Sequence, residues 1–172
     1  RLDLERYDWA EGTPTPVRAT EGTVESRLPP RAAIRAGAAL ELPHIMVFIN
    51  DPGNTLIPSA AGGEVLYDFE LMLGGGHIRG SRAGGEEAER LQSMLDAMPG
   101  AIKYAMGDGN HSLAAAKLCW EQLKPTLSEA ERAVHPARYA LAEIVNIHDP
   151  AVEFKPIHRL VTGAAAKCLA EA

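Results

Sequence analysis

Asp108-Gly109-Asn110-His111-Ser112 places an acid, an amide, an imidazole and a hydroxyl within five positions. A short apolar run, Ala101 to Met106, leads into Gly107 and Gly109, which bracket the acid. A helix-forming stretch follows at once, so the residues read as a strand–turn–helix junction, the kind of place where open α/β structures present ligands. The first N–H groups of a helix lack intrahelical partners, and the aligned peptide dipoles make that end partially positive. An anion is therefore favoured there. An aspartate at position 108 could accept a proton from a hydroxyl or hold a divalent ion through water. A histidine at position 111 could donate to phosphate or serve as acid or base. The plainer reading is a helix start, with Asn110 as N-cap and Gly109 in a backbone conformation closed to other residues. Capping accounts for one polar residue and one glycine, not for four polar side chains together.

Other polar groups are candidates to join this point. His158 and Arg159 form a second donor pair, since Arg matches phosphate or carboxylate bidentately; a surface ion pair is the alternative. Arg18 and Glu21 lie in an extended segment, and spacing alone does not bring them to Asp108. Asn146 and His148 end an apolar stretch before the Asp149-Pro150 turn and read either as cleft residues or as a polar loop. Ser112 has no GxSxG context and no evident base, which argues against a nucleophile. The six histidines are scattered, without HxH, HExxH or Cys/His clusters, so no zinc site is expected. Mg²⁺ held by Asp108 and a substrate phosphate is compatible, because Mg²⁺ needs few protein ligands. Cys119 and Cys168 fall in helix-forming stretches without CxxC spacing and are expected to be buried structural thiols.

The elements that must position these groups follow from periodicity and turn signals. Residues 1–40, with Thr-Pro-Thr-Pro and Pro29-Pro30, read as extended segments joined by turns, with a strand within Thr15 to Arg27. Leu42 to Ile49 is a buried strand that stops at Asn50-Asp51-Pro52-Gly53. Glu64 to Leu73 alternates, with Val65, Tyr67, Phe69 and Leu71 on one face, which predicts a half-exposed strand. Gly74-Gly75-Gly76 turns the chain into a return strand, His77 to Arg82. Glu86 to Met98 is an amphipathic helix with an Ala88, Leu91, Leu95, Met98 stripe. A helix over 110–124 should bury Leu113, Ala116, Trp120 and Leu123. Ser128 and Glu131 form a capping box for a short helix to Val134. Tyr139 to Ile147 reads as one strand, Phe154 to Val161 carries the His158-Arg159 pair, and Ala164 to Glu171 begins another helix. Strands and turns over 1–82, followed by alternating helices and strands over 83–172, predict an α/β or α+β fold with a mixed sheet. The chain reads as one domain, or as part of a larger one.

Composition restricts the function. The 172 residues carry a formal charge of −6, which argues against a dedicated nucleic-acid binder. Hydrophobic residues make up 46%, enough for a core, and aromatics only 5%, so that core must be aliphatic. No apolar run approaches the ~20 residues of a membrane-spanning helix. No signal peptide is visible, and a cytoplasmic protein is the simplest expectation.

Four segments together resemble the bacterial family of unknown function 1015: Arg18-Ala19-Thr20-Glu21-Gly22-Thr23, Leu42-Pro43-His44-Ile45-Met46, Gly107 to Ala114, and Pro156-Ile157-His158-Arg159-Leu160. The match runs from about Tyr7 to Val161. Members are usually much longer, which implies an internal fragment. More distantly, many relatives in this family carry Asp-Gly-His-His-Arg at this turn, a pattern similar to the phosphate-binding turn of the ParB/sulfiredoxin-like fold. Asp108, Gly109 and His111 match it; Asn110 replaces the first histidine and Ser112 the arginine, whose place Arg159 or Arg18 would have to take. This resemblance implies a nucleotide phosphate on the turn, as in the nucleotide hydrolases and the free-serine kinase of that superfamily. The resulting expectation is a nucleotide- or phosphate-binding enzyme. In it Asp108, His111 and His158 are catalytic, and Gly109, Asn110, Ser112, Arg159, Arg18 and Glu21 bind ligand. The alternatives are a non-catalytic sensing module and, against the acidic charge, a DNA-associated protein.

Overall fold

A computed structural model describes residues 1–40 and 45–154. His158, Arg159, Cys168 and the stretches from Phe154 to Val161 and Ala164 to Glu171 thus fall wholly or almost wholly outside the described residues. The fold is mixed α/β, as the pattern of elements predicts. Its centre is a four-stranded sheet in the order β2 (Val17–Ala19), β6 (Tyr104–Asp108), β3 (Met46–Ile49), β8 (Glu143–Asn146). β2 is parallel to β6, β3 is antiparallel to β6, and β8 is parallel to β3. The sheet is therefore two parallel pairs that run in opposite directions, and their C-terminal ends lie at opposite edges.

The helices follow local chemistry. α1 (Leu28–Ala36) begins with its two prolines in the first turn. This corrects the expectation that 1–40 is extended: Pro29-Pro30 starts a helix, because the first turn has no acceptor for the missing N–H and φ is already helical. α2 (Leu56–Ser59) is a single turn that the sequence pattern did not suggest. α3 (Gly85–Ala97) and α4 (Asn110–Leu123) fall where periodicity puts them. α5 (Glu129–Val134) has the expected capping box: Ser128 Oγ accepts from the Glu131 backbone, and the Glu131 carboxylate accepts from the Ser128 backbone.

α4 packs on α1 and buries Leu113, Ala116 and Trp120 against Leu4, Tyr7, Val17, Ile45, Val47, Met106 and Ala140. The Trp120 indole stacks on His135 with ring centroids 6.1 Å apart and donates to Glu5. A smaller cluster joins Ile49, Leu56 and Leu95, so α2 and α3 close the other end of the core. The expected strand from Tyr139 to Ile147 is two short ones in different sheets: β7 (Tyr139–Ala140) pairs with β1 (Leu2–Asp3), and β8 joins the central sheet. Cys119 is half-buried rather than buried, and its thiol donates to the Ala32 carbonyl at 3.6 Å.

β4 (Val65–Glu70) and β5 (His77–Ser81) form the expected hairpin. It is more exposed than its alternation predicts: every residue of β4 is exposed. Pairing puts Tyr67 opposite Gly80 and Phe69 opposite Ile78 on an apolar face. Asp68, Glu70, His77 and Arg79 share the other face, where His77 bridges Asp68 and Glu70. A Cβ on Gly80 would sit 2.1 Å from the Tyr67 ring, so the glycine makes room for that ring. Among the described residues no helix is long and apolar enough to cross a membrane.

Candidate functional site

Parallel pairing of β2 with β6 brings two of the sequence candidates together. Ala19 is level with Met106, so the chain leaving β2 runs beside the chain leaving β6. Thr20 fastens this end: its amide and its hydroxyl both donate to the Met106 carbonyl, at 3.4 and 2.7 Å. The Arg18–Thr23 segment and the Asp108–Ser112 turn are thus neighbours, which spacing alone could not establish. The elements carrying Arg18 and Glu21 join this end of the sheet, whereas His158 and Arg159 are not described.

The turn itself departs from the expected cap. Gly109 is the N-cap, at φ 87°, and no side chain caps the helix. A left-handed φ is closed to most L-residues, so this glycine is required by the backbone. Asn110 is the first residue of α4 and 4% exposed. Asp108 is exposed, and its Oδ1 accepts from the Gly109 amide at 2.8 Å. His111 Nε2 accepts from the Val24 amide at 3.1 Å, which places the ring proton on Nδ1. One oxygen of Asp108 and one nitrogen of His111 are therefore already bound to backbone. Ser112 is half-buried in the first turn.

Among the described residues, three of the four buried side-chain atoms without a hydrogen-bond partner lie at this end of the sheet. Arg18 Nε, Thr23 Oγ1 and Asn110 Nδ2 are buried and have no hydrogen-bond partner. All three can donate, and all three lie on the two segments that the Val24–His111 bond joins. A fourth such atom is the hydroxyl of Tyr7, whose phenol burial pushes well above its ordinary value. Each such group costs about 1–3 kcal/mol, and native proteins carry few of them.

Arg18 and Thr23 also line a cavity of about 490 Å³, walled by residues 8–12, 18–23 and Glu25. Its carboxylates are Asp8, Glu11, Glu21 and Glu25, and its one cation is Arg18. These acids accept well from hydroxyl or amine groups and repel a bare anion. Asp8, Glu11, Thr20, Thr23 and Glu25 escaped the sequence reading. Nothing local marks the acids; the two threonines lie in the segment that holds Arg18 and Glu21, and only strand pairing shows what they do. Among the described residues no group of three or more His, Cys, Asp or Glu could hold a metal ion.

The polar residues at the opposite edge contrast with this. Asn146 is 1% exposed and fully engaged: its amide donates to the Asp51 carbonyl at 2.8 Å and to Asn54 Oδ1, and its oxygen accepts from the Asp51 and His148 amides. Asp51 accepts from the Leu56 and Thr55 amides, each at 2.7 Å, and from the Thr55 hydroxyl. The Leu56 N–H foremost, with those of Thr55, holds the Asp51 carboxyl below its ordinary range against the opposing effect of burial. Asn146 therefore ties β8 to the turn after β3.

The family model described as protein of unknown function (DUF1015) matches residues 1–172. The chain belongs to this family. No curated protein and no solved structure matches it.

Proposed function

We propose that this DUF1015 chain binds a nucleotide or another phosphorylated small molecule where β2 and β6 end, and acts on it by phosphoryl transfer or phosphate hydrolysis. The observation that carries the reading is the set of three buried donors without partners, Arg18 Nε, Thr23 Oγ1 and Asn110 Nδ2, beside the N-terminus of a 14-residue helix. Such donors are stabilised by an acceptor-rich ligand, and phosphate oxygens supply several acceptors in a small volume. In this reading the amides of Gly109 to Ser112 and Arg18 hold the phosphate. The cavity carboxylates, Glu21 and Glu25 among them, take hydroxyl or amino groups of the rest of the ligand. Because those acids oppose a bare anion, the phosphate is expected to arrive with Mg²⁺. The second oxygen of Asp108 is available to position a hydroxyl or a hydrated metal. His111 braces the loop through Nε2 and can donate through Nδ1.

A non-catalytic sensing module is the second reading. It is favoured by the backbone bonds already made by Asp108 Oδ1 and His111 Nε2. Thermal shift with phosphate, ADP and ATP, each with and without Mg²⁺, tests both. A ligand at a hundred times its dissociation constant stabilises by about 2.7 kcal/mol, several degrees for a chain of this size. A nucleotide-specific rise that disappears in Arg18→Ala supports the site. Turnover that is lost in Asp108→Ala selects the enzyme; binding without product selects the sensor. A flat screen on a cooperatively melting protein counts against the proposal.

A further inference from the structure

α3 packs Leu95, with Leu91, Met94 and Met98, in the cluster that holds Ile49, Tyr104 and Ile144 of the sheet. A cavity of about 380 Å³ opens beside this cluster, lined by Ala88, Leu91 and Leu95 of α3 and by Val17, Val47 and Ile144 of the sheet. Protein interiors close-pack with few voids larger than a water, whereas sites for small molecules occupy roughly 300–1,000 Å³. Leu95 is the only residue of α3 that is buried among those described, which is little for an amphipathic helix of 13 residues. An apolar body placed in this space would give it the contacts that it lacks.

The polar groups of the same lining have a sign. Arg1, Arg6, Lys103, Gln92 and the hydroxyl-bearing Tyr104 stand with Asp3 and Asp96. Both oxygens of Asp3 are taken by the Arg138 guanidinium, at 2.9 and 2.7 Å, so its charge is neutralised locally. The Lys103 ammonium donates to the Asp96 backbone carbonyl at 2.5 Å, which fixes it at the cavity wall with donors to spare. Three cations, Arg1, Arg6 and Lys103, thus stand against one remaining acid, Asp96, and of the three Arg1 lies over the Tyr139 ring, 4.3 Å from its centroid. Apolar walls with a few convergent donors suit a ligand with a hydrocarbon body and one acidic end.

We propose that the cavity between α3 and the central sheet binds an amphipathic carboxylate, its hydrocarbon body against Val17, Val47, Ile144 and Leu91 and its acid group toward Arg6 and Lys103. The site is separate from the one at the ends of β2 and β6, and neither proposal depends on the other.

Isothermal titration with decanoate, decanol and decylamine, below their aggregation concentrations, tests it. Decanoate should bind saturably at one site, at least tenfold more tightly than decanol. Arg6→Ala with Lys103→Ala should remove that difference. Ala88→Trp, at an exposed position of the lining, should weaken decanoate tenfold or more with an unchanged circular dichroism spectrum. Should that variant misfold, amide exchange of the wild type decides: decanoate should slow exchange along α3. The proposal is overturned by absent saturable binding, by decylamine binding more tightly than decanoate, by a folded Ala88→Trp that binds equally well, or by unchanged exchange in α3. ADP shifts, whether present or absent, leave these results as they are.

Discussion

Asn110→Leu should make the ligand-free protein more stable and the ligand-bound protein less so. Leucine has nearly the shape of asparagine and no polar atom. Asn110 is 4% exposed, and its amide nitrogen has no partner. A buried donor left unpaired costs about 1–3 kcal/mol, and replacing it by an apolar group of the same shape recovers much of that. For a chain of this length 1 kcal/mol is worth about 2–4 °C. Melting of the ligand-free variant should therefore rise by about 2–6 °C. The variant should also lose a donor to the ligand, worth about 1.5–3 kcal/mol when the acceptor is charged, so affinity should fall by about one to two orders of magnitude. Thermal and urea unfolding with and without Mg²⁺–ADP read both effects on one sample. If Asn110→Leu lowers the melting point and leaves the ADP shift intact, Nδ2 does not serve a ligand. The unpartnered donors then do not mark a ligand site.

Four further outcomes follow from the geometry. Asp51→Ala should cost about 0.5–2 kcal/mol by urea unfolding, because it removes the acceptor at the start of α2. The folded-state pKa of Asp51 is depressed, so the stability it contributes is fully present above its unfolded value near pH 4 and is lost as pH falls through the folded pKa. Asp3 is held down by Arg138 in the same way, so Asp3→Asn with Asp51→Asn should flatten the stability profile below about pH 4 and leave its shape at neutral pH unchanged. Gly107→Ala should destabilise by about 1–3 kcal/mol, since its Cβ would stand 2.2 Å from the Phe48 ring; Phe48→Leu should relieve much of that in a double-mutant cycle. His111→Phe removes the acceptor for the Val24 amide, should cost about 0.5–1.5 kcal/mol, and should speed proteolysis within residues 20–25.

The amino-acid sequence by itself determined the elements with strong periodicity or strong punctuation. α3, α4 and the hairpin around Gly74 to Gly76 sit where apolar spacing and glycines put them, because those signals act over a few residues. The capping box at Ser128 and the turn at Asp108-Gly109 are legible for the same reason. Two local rules point either way, and only the fold chose between them. Pro29-Pro30 breaks a helix interior but starts a helix, and the start became clear once Leu28 and Ala32 were seen buried. Asn110 is a good N-cap by type, yet Gly109 takes that role and Asn110 is carried inside.

What only the tertiary structure decided is which distant residues meet. Parallel pairing of β2 with β6 spans more than 80 residues and sets Arg18 to Thr23 beside the Asp108 turn. No pattern within either segment encodes that distance, because strand register is fixed by what the whole sheet buries. The same holds for hydrogen-bond satisfaction. Asn146 and Asn110 are the same side chain, each at the end of an element and each buried. The fold surrounds one with partners and leaves the amide nitrogen of the other without any, and that difference separates a structural clamp from the candidate site.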